Sequence, residues 1–117
     1  MRVLNRTKGT LLASSVEVAD SAFSRFVGLL GRQSIESGGG IWIVPGNSIH
    51  TLGMRFPIDV VMLSQNAAVV GLRESLPPFS IVWPDLRAKS VLELPADTIA
   101  RTSTEPGDLL QIEFGSS

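Results

Sequence analysis

The chain has 117 residues, no cysteine and a formal net charge of -1, from ten Lys plus Arg against eleven Asp plus Glu. One domain over residues 1–117 fits this length, which allows a single core that buries roughly two thirds of the unfolded surface. The near-neutral charge argues against nucleic-acid binding, which needs a broad basic surface. The lack of cysteine excludes disulfides, thiolate metal ligands and cysteine nucleophiles.

The amino-terminal sequence, Met1 to Arg6, lacks the apolar segment of a secretory signal. No later run reaches the ~18 apolar residues that are needed to cross a bilayer. We therefore expect a cytoplasmic protein without membrane contact.

Short apolar runs separated by Gly, Pro, Ser and Asn recur along the chain, which is typical of a mainly β domain. A helix is predicted from Ser21 to Leu30, where apolar residues recur every three or four positions. A shorter helical turn is predicted after Pro95, with Pro95 in its first turn and Ile99 facing inward. The predicted strands cover residues 2–5, 11–18, 41–44, 58–64, 68–74, 90–94 and 109–114.

Connecting segments are predicted from glycine, proline and turn residues. Residues 37–40, Ser-Gly-Gly-Gly, should form a flexible loop, and residues 76–79, Leu-Pro-Pro-Phe, an extended one. Residues 64–67 suit a hairpin turn with Asn66 or Ala67 in the left-handed region. The expected fold is a single-domain β-sandwich or partly open barrel, mainly β, with one short α-helix packed on it.

The segment from Ile58 to Leu63 is apolar on both faces apart from Asp59, so we predict a central strand. Glu93 likewise interrupts an apolar run. A buried carboxylate must be paired or neutralised, and Arg55 and Arg73 are the nearest cations in the predicted layout. Three interpretations are open: a structural ion pair, a backbone-bound carboxylate that fixes strand register, and a carboxylate that faces a ligand.

His50 is the only histidine, and its imidazole can titrate near neutrality. A Ser-His-Asp arrangement could use Ser48 or Ser80 with His50 and Asp59, but the G-x-S-x-G elbow is missing. Metal ligation could draw on His50, Asp59, Glu93 or Asp108, but no known metal-binding spacing occurs. We therefore predict no metal and no cofactor, and we assign no catalytic residue.

Four aromatic residues are candidates for surface contacts, namely Trp42, Phe56, Phe79 and Trp83. Trp83 lies between Val82 and Pro84 in a proline-rich segment, which would suit a pocket rim or a partner contact. Packing in the core or against a loop is the favoured interpretation, because most aromatic side chains of a small β domain are buried.

An ordered set of short motifs resembles the uncharacterised bacterial and archaeal family called domain of unknown function 192. The motifs are residues 26–32 (FVGLLGR), 48–51 (SIHT), 54–61 (MRFPIDVV), 91–96 (VLELPA) and 106–108 (PGD). This resemblance implies a sandwich-like or barrel-like, mainly β domain with a short helix, and it implies no established activity.

Three positions depart from the pattern of that family. Leu52-Gly53 stands where relatives often have two aromatic residues, and Ala67 and Asp97 stand where they usually have glycine. The small Gly53 is predicted to open a cleft beside His50. Asp97 raises the question of whether the turn after Pro95 keeps the same backbone.

The leading functional hypothesis is a non-enzymatic module that binds a small polar molecule or a protein segment in a polar cleft around His50. The candidate ligand-binding residues are His50, Thr51, Met54, Arg55, Asp59, Arg73 and Glu93.

Two alternatives are a small hydrolase or lyase that uses His50 with Asp59 or Glu93, and a structural protein-interaction domain. The second would expose Phe79, Trp83 and the neighbouring prolines as an apolar patch. The sequence does not decide between enzyme and binding module, and it leaves the ligand, the oligomeric state and the pathway open.

Overall fold

Ten β-strands and a short helix form the regular structure of residues 1–20, 34–51 and 54–115, which the computed structural model describes. The helix predicted from Ser21 to Leu30 lies outside these residues. No helix among them is long and apolar enough to cross a membrane. The elements are β1 (Arg2–Asn5), β2 (Thr10–Ala13), β3 (Ser15–Ala19), β4 (Gly39–Ile43), β5 (Ile49–His50), β6 (Ile58–Leu63), β7 (Val69–Leu76), β8 (Ile81–Val82), β9 (Ser90–Pro95), α1 (Thr98–Thr102) and β10 (Leu110–Glu113).

Three sheets organise these strands. The largest has five strands in the order β3-β4-β9-β6-β7, in which β3 and β4 are parallel and the other neighbours antiparallel. A three-stranded sheet has the order β10-β1-β2, and β5 pairs with β8. The predicted mainly β, sandwich-like class is confirmed, and the described strands do not close into a barrel.

Strand β6 is the centre of the molecule, as predicted, because β7 and β9 flank it and all six of its residues are buried. Ile58, Val60 and Met62 contact one apolar cluster, which also contains buried side chains of β4, β5 and β8. Val61 and Leu63 contact a second cluster, which contains residues of the three-stranded sheet and of α1. Burial of each such side chain stabilises the folded chain by about 1.5–3 kcal/mol, so apolar contacts on both faces of the central sheet contribute to the stability of the fold.

The predicted strand over residues 11–18 is wrong in one respect, because the chain changes sheets at Ser14. The backbone N–H groups of Ser14 and Ser15 both donate to the carbonyl of Gly38, at 2.9 and 3.0 Å. β2 therefore ends in one sheet and β3 begins in another.

The predicted flexible loop over residues 37–40 is also corrected. Gly39 and Gly40 begin β4. A Cβ on Gly40 would lie 2.9 Å from the Glu93 carbonyl oxygen and from the Leu94 side chain. Glycine is thus needed there for close strand packing rather than for flexibility.

Several turns depend on left-handed backbone at residues other than glycine. Ala67 has φ 61°, which confirms the predicted hairpin turn, and Asp97 has φ 74° before α1. The aspartate that replaces the family's usual glycine therefore keeps a glycine-like backbone.

Two predicted boundaries are corrected. Pro95 belongs to β9 rather than to the first turn of α1. The expected extended loop at 76–79 is instead the end of β7 followed by a turn, with φ 62° at Phe79.

Asp59 is fully buried and joins three elements through its carboxylate. A bulge in β7 places Ile58 opposite Leu76 and Val60 opposite Arg73, which frees the backbone of Ser75 from the ladder. The N–H of Ser75 donates to Oδ1 of Asp59 at 2.8 Å, and the N–H of Ile99 donates to Oδ2 at 2.8 Å.

The contact with Ile99 caps helix α1 from a distant strand. The first N–H groups of a helix have no partner within the helix, and Asp97 at the N-cap position makes no side-chain hydrogen bond. Asp59 is therefore a backbone-bound carboxylate. Among the described residues it forms no ion pair with Arg55 or Arg73, which were the expected cations.

A second buried carboxylate, Asp108, ties the β1–β2 turn to the segment before β10. Asn5 Nδ2, Lys8 Nζ and the N–H of Glu105 donate to it, each at 2.9 Å. Burial raises the pKa of Asp108, but the hydrogen bonds from Asn5, Lys8 and Glu105 outweigh it and bring the pKa below the ordinary 3.8.

The Asp59→Asn variant tests the capping role of the central carboxylate. The side-chain oxygen of asparagine can accept one of the two hydrogen bonds, but its NH2 group cannot accept the other, so one backbone N–H loses its partner. We expect the free energy of unfolding to fall by about 1.5–3 kcal/mol in urea denaturation. Asp97→Asn is the control, since Asp97 is exposed and makes no cap bond, and its change should stay within about 0.5 kcal/mol. Equal losses in the two variants would contradict the cap.

Acid denaturation tests the Asp108 network. Because the pKa of Asp108 is lower in the folded chain than in the unfolded chain, its stabilisation is present above about pH 4 and is lost as pH falls through the folded-state value. In Asp108→Asn the free energy of unfolding should be lower at pH 7 and should decline less steeply below about pH 4. An acid decline as steep as that of the wild type would contradict this assignment.

Candidate functional site

The predicted cleft around His50 begins at the two-stranded ribbon, where His50 pairs with Ile81 and Ile49 pairs with Val82. The side chain of His50 lies outside the described part of the chain. Leu52 and Gly53, the predicted opening of the cleft, lie outside it as well. The backbone register nevertheless places His50 directly across from the segment that begins at Phe79.

Thr51 is completely buried and holds that segment in place. Its hydroxyl accepts the N–H of Ser80 and donates to the Pro77 carbonyl, both at 2.7 Å. Its N–H donates to the Ser80 carbonyl at 2.8 Å, and its carbonyl accepts the N–H of Phe79 at 3.0 Å. Every polar group of Thr51 is thus used to position residues 77–80.

The other predicted site residues are divided between the core and the surface. Met54 is buried in the first apolar cluster, and Arg55 is exposed. Glu93 is buried in register with Val60, whose side chain faces the first cluster, whereas Asp59 faces Ile99 in the second. Because successive residues of a strand point to opposite faces, the two carboxylates do not share a site. A catalytic or ligand-binding role for any of them stays a prediction.

Four of the eight large apolar side chains that are exposed among the described residues lie within residues 79–86. We call their surface the apolar face and define it by Phe79, Ile81, Trp83 and Leu86, whose exposed fractions are 73%, 61%, 80% and 83%. The interpretation that Trp83 packs in the core or against a loop is therefore wrong. Trp42 and Phe56 are half-buried.

Hydrogen bonds hold the apolar face at both ends. Thr51 fixes its beginning. Further along, the N–H of Asp85 donates to the Asn47 carbonyl at 3.0 Å, and the N–H of Ala88 donates to the Asp85 carbonyl at 2.9 Å. Val82, between the exposed Ile81 and Trp83, is buried in the first cluster. The exposed side chains are thus mounted on an anchored segment.

A cavity of about 350 Å³ lies beside this face, between β7 and residues 83–87. Its apolar lining includes Met62, Val70, Trp83 and Leu86, and its charged lining is Arg73, Asp85 and Arg87. Among the predicted site residues whose side chains the structure describes, Arg73 alone lines this space. The volume is in the range of small-ligand pockets.

The charges of the cavity are only partly compensated. Arg87 binds Asp85 as a fork, with Nη2 2.7 Å from Oδ2 and Nε 3.0 Å from Oδ1. The hydrogen bond from the Arg87 side chain lowers the pKa of Asp85 to about 2, so this carboxylate is ionised at neutral pH. Arg73 is exposed and donates one bond, to the Leu72 carbonyl at 2.7 Å. Its charge also helps to lower the pKa of Asp85, but it forms no contact ion pair with a carboxylate of the described residues.

Ile81 and Leu86 were not among the sequence candidates. The alternation of Phe79, Ile81 and Trp83 at every second position was a signal for an extended segment with one apolar side. The sequence could not show that this side faces solvent, because strand β8 has only two residues and its partner β5 is equally short.

Substitution of Thr51 tests whether it positions the apolar face. Thr51→Val keeps the shape but leaves the Ser80 N–H and the Pro77 carbonyl unpaired, so unfolding should become easier by about 1–3 kcal/mol. The amides of Phe79 and Ser80 should also exchange faster with solvent. Thr51→Ser, which retains the hydroxyl, should keep the protection of both amides. Unchanged protection in the valine variant would contradict the positioning role.

Two solved structures share this architecture. A crystal structure of a protein of unknown function from Novosphingobium aromaticivorans aligns with a TM-score of 0.83 at 18% identity, over 96% of this chain and 84% of that one. At this identity the likeness shows the fold alone. A putative transcription regulator from Sinorhizobium meliloti aligns with a TM-score of 0.78 at 25% identity, over 94% of this chain and 89% of that one.

Sequence relatives come from Pyrococcus and Thermococcus species. A UPF0127 protein of Pyrococcus furiosus is 36% identical over 114 residues, which cover 93% of this chain and 96% of the relative. A UPF0127 protein of Thermococcus sibiricus is 31% identical and is matched over 74% of its length. The model of the DUF192 family, described as Uncharacterized ACR, COG1430, matches residues 3–112. The chain therefore belongs to the DUF192 family, as the motif resemblance indicated.

Proposed function

We propose that this chain is a non-enzymatic binding module that captures an apolar segment of a partner protein on the apolar face. A protein segment is one of the two partner types that the sequence predicted. The surface lies across the ribbon from His50, rather than in a polar cleft around it. The observation that carries the proposal is the exposure of Phe79, Ile81, Trp83 and Leu86 on one anchored segment.

These four side chains contribute little to folding, because they stay largely in water in the folded chain. Transfer of apolar surface out of water is favourable, and monomeric proteins rarely expose large contiguous apolar patches without a binding role. Tryptophan is also strongly represented among the residues that dominate interface energies. A partner segment that covers Trp83 and Leu86 would remove this unfavourable hydration.

Anchoring of the segment favours binding for a second reason. Ordering of a loop opposes association, and this cost is reduced when the loop is already ordered in the free protein. The bonds from Thr51 and Asn47 supply that order before a partner arrives. The backbone of residues 79–85 would therefore change little on binding.

Neither catalysis nor nucleic-acid binding receives comparable support. The carboxylates of Asp59 and Glu93 point to opposite faces, and the net charge of -1 does not favour DNA. The name of the Sinorhizobium relative, a putative transcription regulator, describes that protein.

A peptide-display selection against the wild-type chain tests this function. Affinities of the enriched peptides would be measured by calorimetry for the wild type, Trp83→Ser and Leu86→Ser. We expect each substitution to weaken binding by at least about tenfold, since truncation of a hot-spot residue has effects of this size. Unfolding free energies should change by no more than about 0.5 kcal/mol, because both side chains are exposed.

Leu11→Ser is the matched control, because Leu11 is an exposed apolar residue on β2, in the three-stranded sheet. It should leave peptide affinity unchanged. Selected peptides that bind all three variants as well as the wild type would overturn the proposal. A dimer of the wild type that Trp83→Ser dissociates would also overturn it, because the occupant would then be a second copy of the chain.

A further inference from the structure

We infer that the cavity beside β7 holds the apolar C-terminal residue of the partner chain, with the free carboxylate bound by Arg73. This inference rests on the proposed function and names the feature of the partner that is recognised. It follows from the placement of an apolar lining and an unpaired guanidinium in a single space of about 350 Å³.

The apolar lining continues from the apolar face. Trp83 and Leu86 belong to both, so a segment lying on the face leads directly into the cavity. Val70 contributes further apolar surface from β7, whereas Met62 of β6, which also lines the cavity, is almost completely buried. An apolar side chain that entered here would lose water on the sides that contact this lining, which favours an aliphatic or aromatic group.

The charge of the cavity selects an anion. Asp85 is held by both ends of the Arg87 fork, and Arg87 also donates to the Val70 carbonyl at 3.1 Å. These contacts fix Arg87 in place. Arg73 uses one of its five N–H groups, on Leu72, and the other four have no partner among the described residues. One positive charge therefore remains for a ligand, in the planar geometry that suits a carboxylate.

A C-terminal residue meets both requirements at once. Its side chain and its free carboxylate are attached to the same Cα, so both fit within one small cavity. A glutamate or aspartate carries its carboxylate on the side chain and brings no separate apolar group at that position. Arg73 would thus distinguish the end of a chain from its interior.

Three short peptides test this inference by NMR titration of the wild-type chain. They are N-acetyl-Gly-Ser-Gly-Phe with a free carboxylate, the same peptide as its C-terminal amide, and N-acetyl-Gly-Ser-Gly-Glu amide. The free acid should shift the backbone amide signals of Val70 and Gly71 and should bind at least about tenfold more tightly than either amide. Equal affinity of the free acid and its amide, or of the free acid and the glutamate peptide, would overturn the inference.

Variants of Arg73 separate recognition of the carboxylate from packing. Arg73→Gln should reduce the affinity for the free acid to that for the amide, whereas Arg73→Lys should retain part of the difference. Ile81→Ser, which alters the apolar face but not the cavity lining, should preserve the ratio between acid and amide. A ratio that Arg73→Gln leaves at tenfold would show that another group binds the carboxylate and would overturn the role of Arg73.

The two proposals fail in distinguishable ways. If acid and amide bind equally while Trp83→Ser still weakens the display-selected peptides, the C-terminal inference is wrong and the binding surface stands. If those peptides are insensitive to Trp83→Ser, the proposed function is wrong, whatever the ratio between acid and amide.

Discussion

The two hydrogen bonds of Asp59 are the interaction on which the rest of the structure depends. A carboxylate inside an apolar core is strongly destabilising unless hydrogen bonds replace its hydration. Here the replacements are backbone N–H groups of Ser75 and Ile99, which the bulge in β7 and the start of α1 leave without ladder or helix partners. One side chain therefore gives two backbone N–H groups a partner, has its own charge stabilised by them, and joins β6, β7 and α1.

The hydrogen bonds of Asp59 also affect the surface of the molecule. Asp59 binds the bulge of β7 that separates two strand pairs, Ile58 with Leu76 and Val60 with Arg73. Arg73 therefore lies immediately before this bulge. The course of β7 in turn sets the position of Arg73 in the wall of the cavity. Asp59 thus affects the wall of this cavity through the course of β7.

The sequence predicts the interior of this molecule better than its surface. The run from Ile58 to Leu63 is apolar on both faces, which is sufficient to identify β6 as central. The break at Ser14 escapes prediction because it depends on a hydrogen-bond acceptor, Gly38, that is distant in sequence. Strands β5 and β8 have two residues each, so neither shows an alternating pattern of its own.

The candidate site was likewise predicted less well from the sequence than the interior. The identity of Thr51 suggested a polar ligand contact, but tertiary structure buries it and uses its hydroxyl to hold residues 77–80. The identity of Trp83 suggested packing, but the same anchor leaves it exposed. Residue type predicts the contacts that a side chain can make, whereas exposure depends on which segments are brought together. Arg73 and Trp83 line one cavity only because β7 and the segment following β8 are adjacent.

Native-state hydrogen exchange of the Ser75 and Ile99 amides tests the central role of Asp59 most directly. Amides in a bulge or in the first turn of a short helix ordinarily exchange through local opening, at a small fraction of the global stability. If Asp59 joins the three elements, both amides should exchange only through global unfolding, with opening free energies equal to that from urea denaturation. Exchange of either amide at nearly the rate of an unprotected peptide would contradict this account.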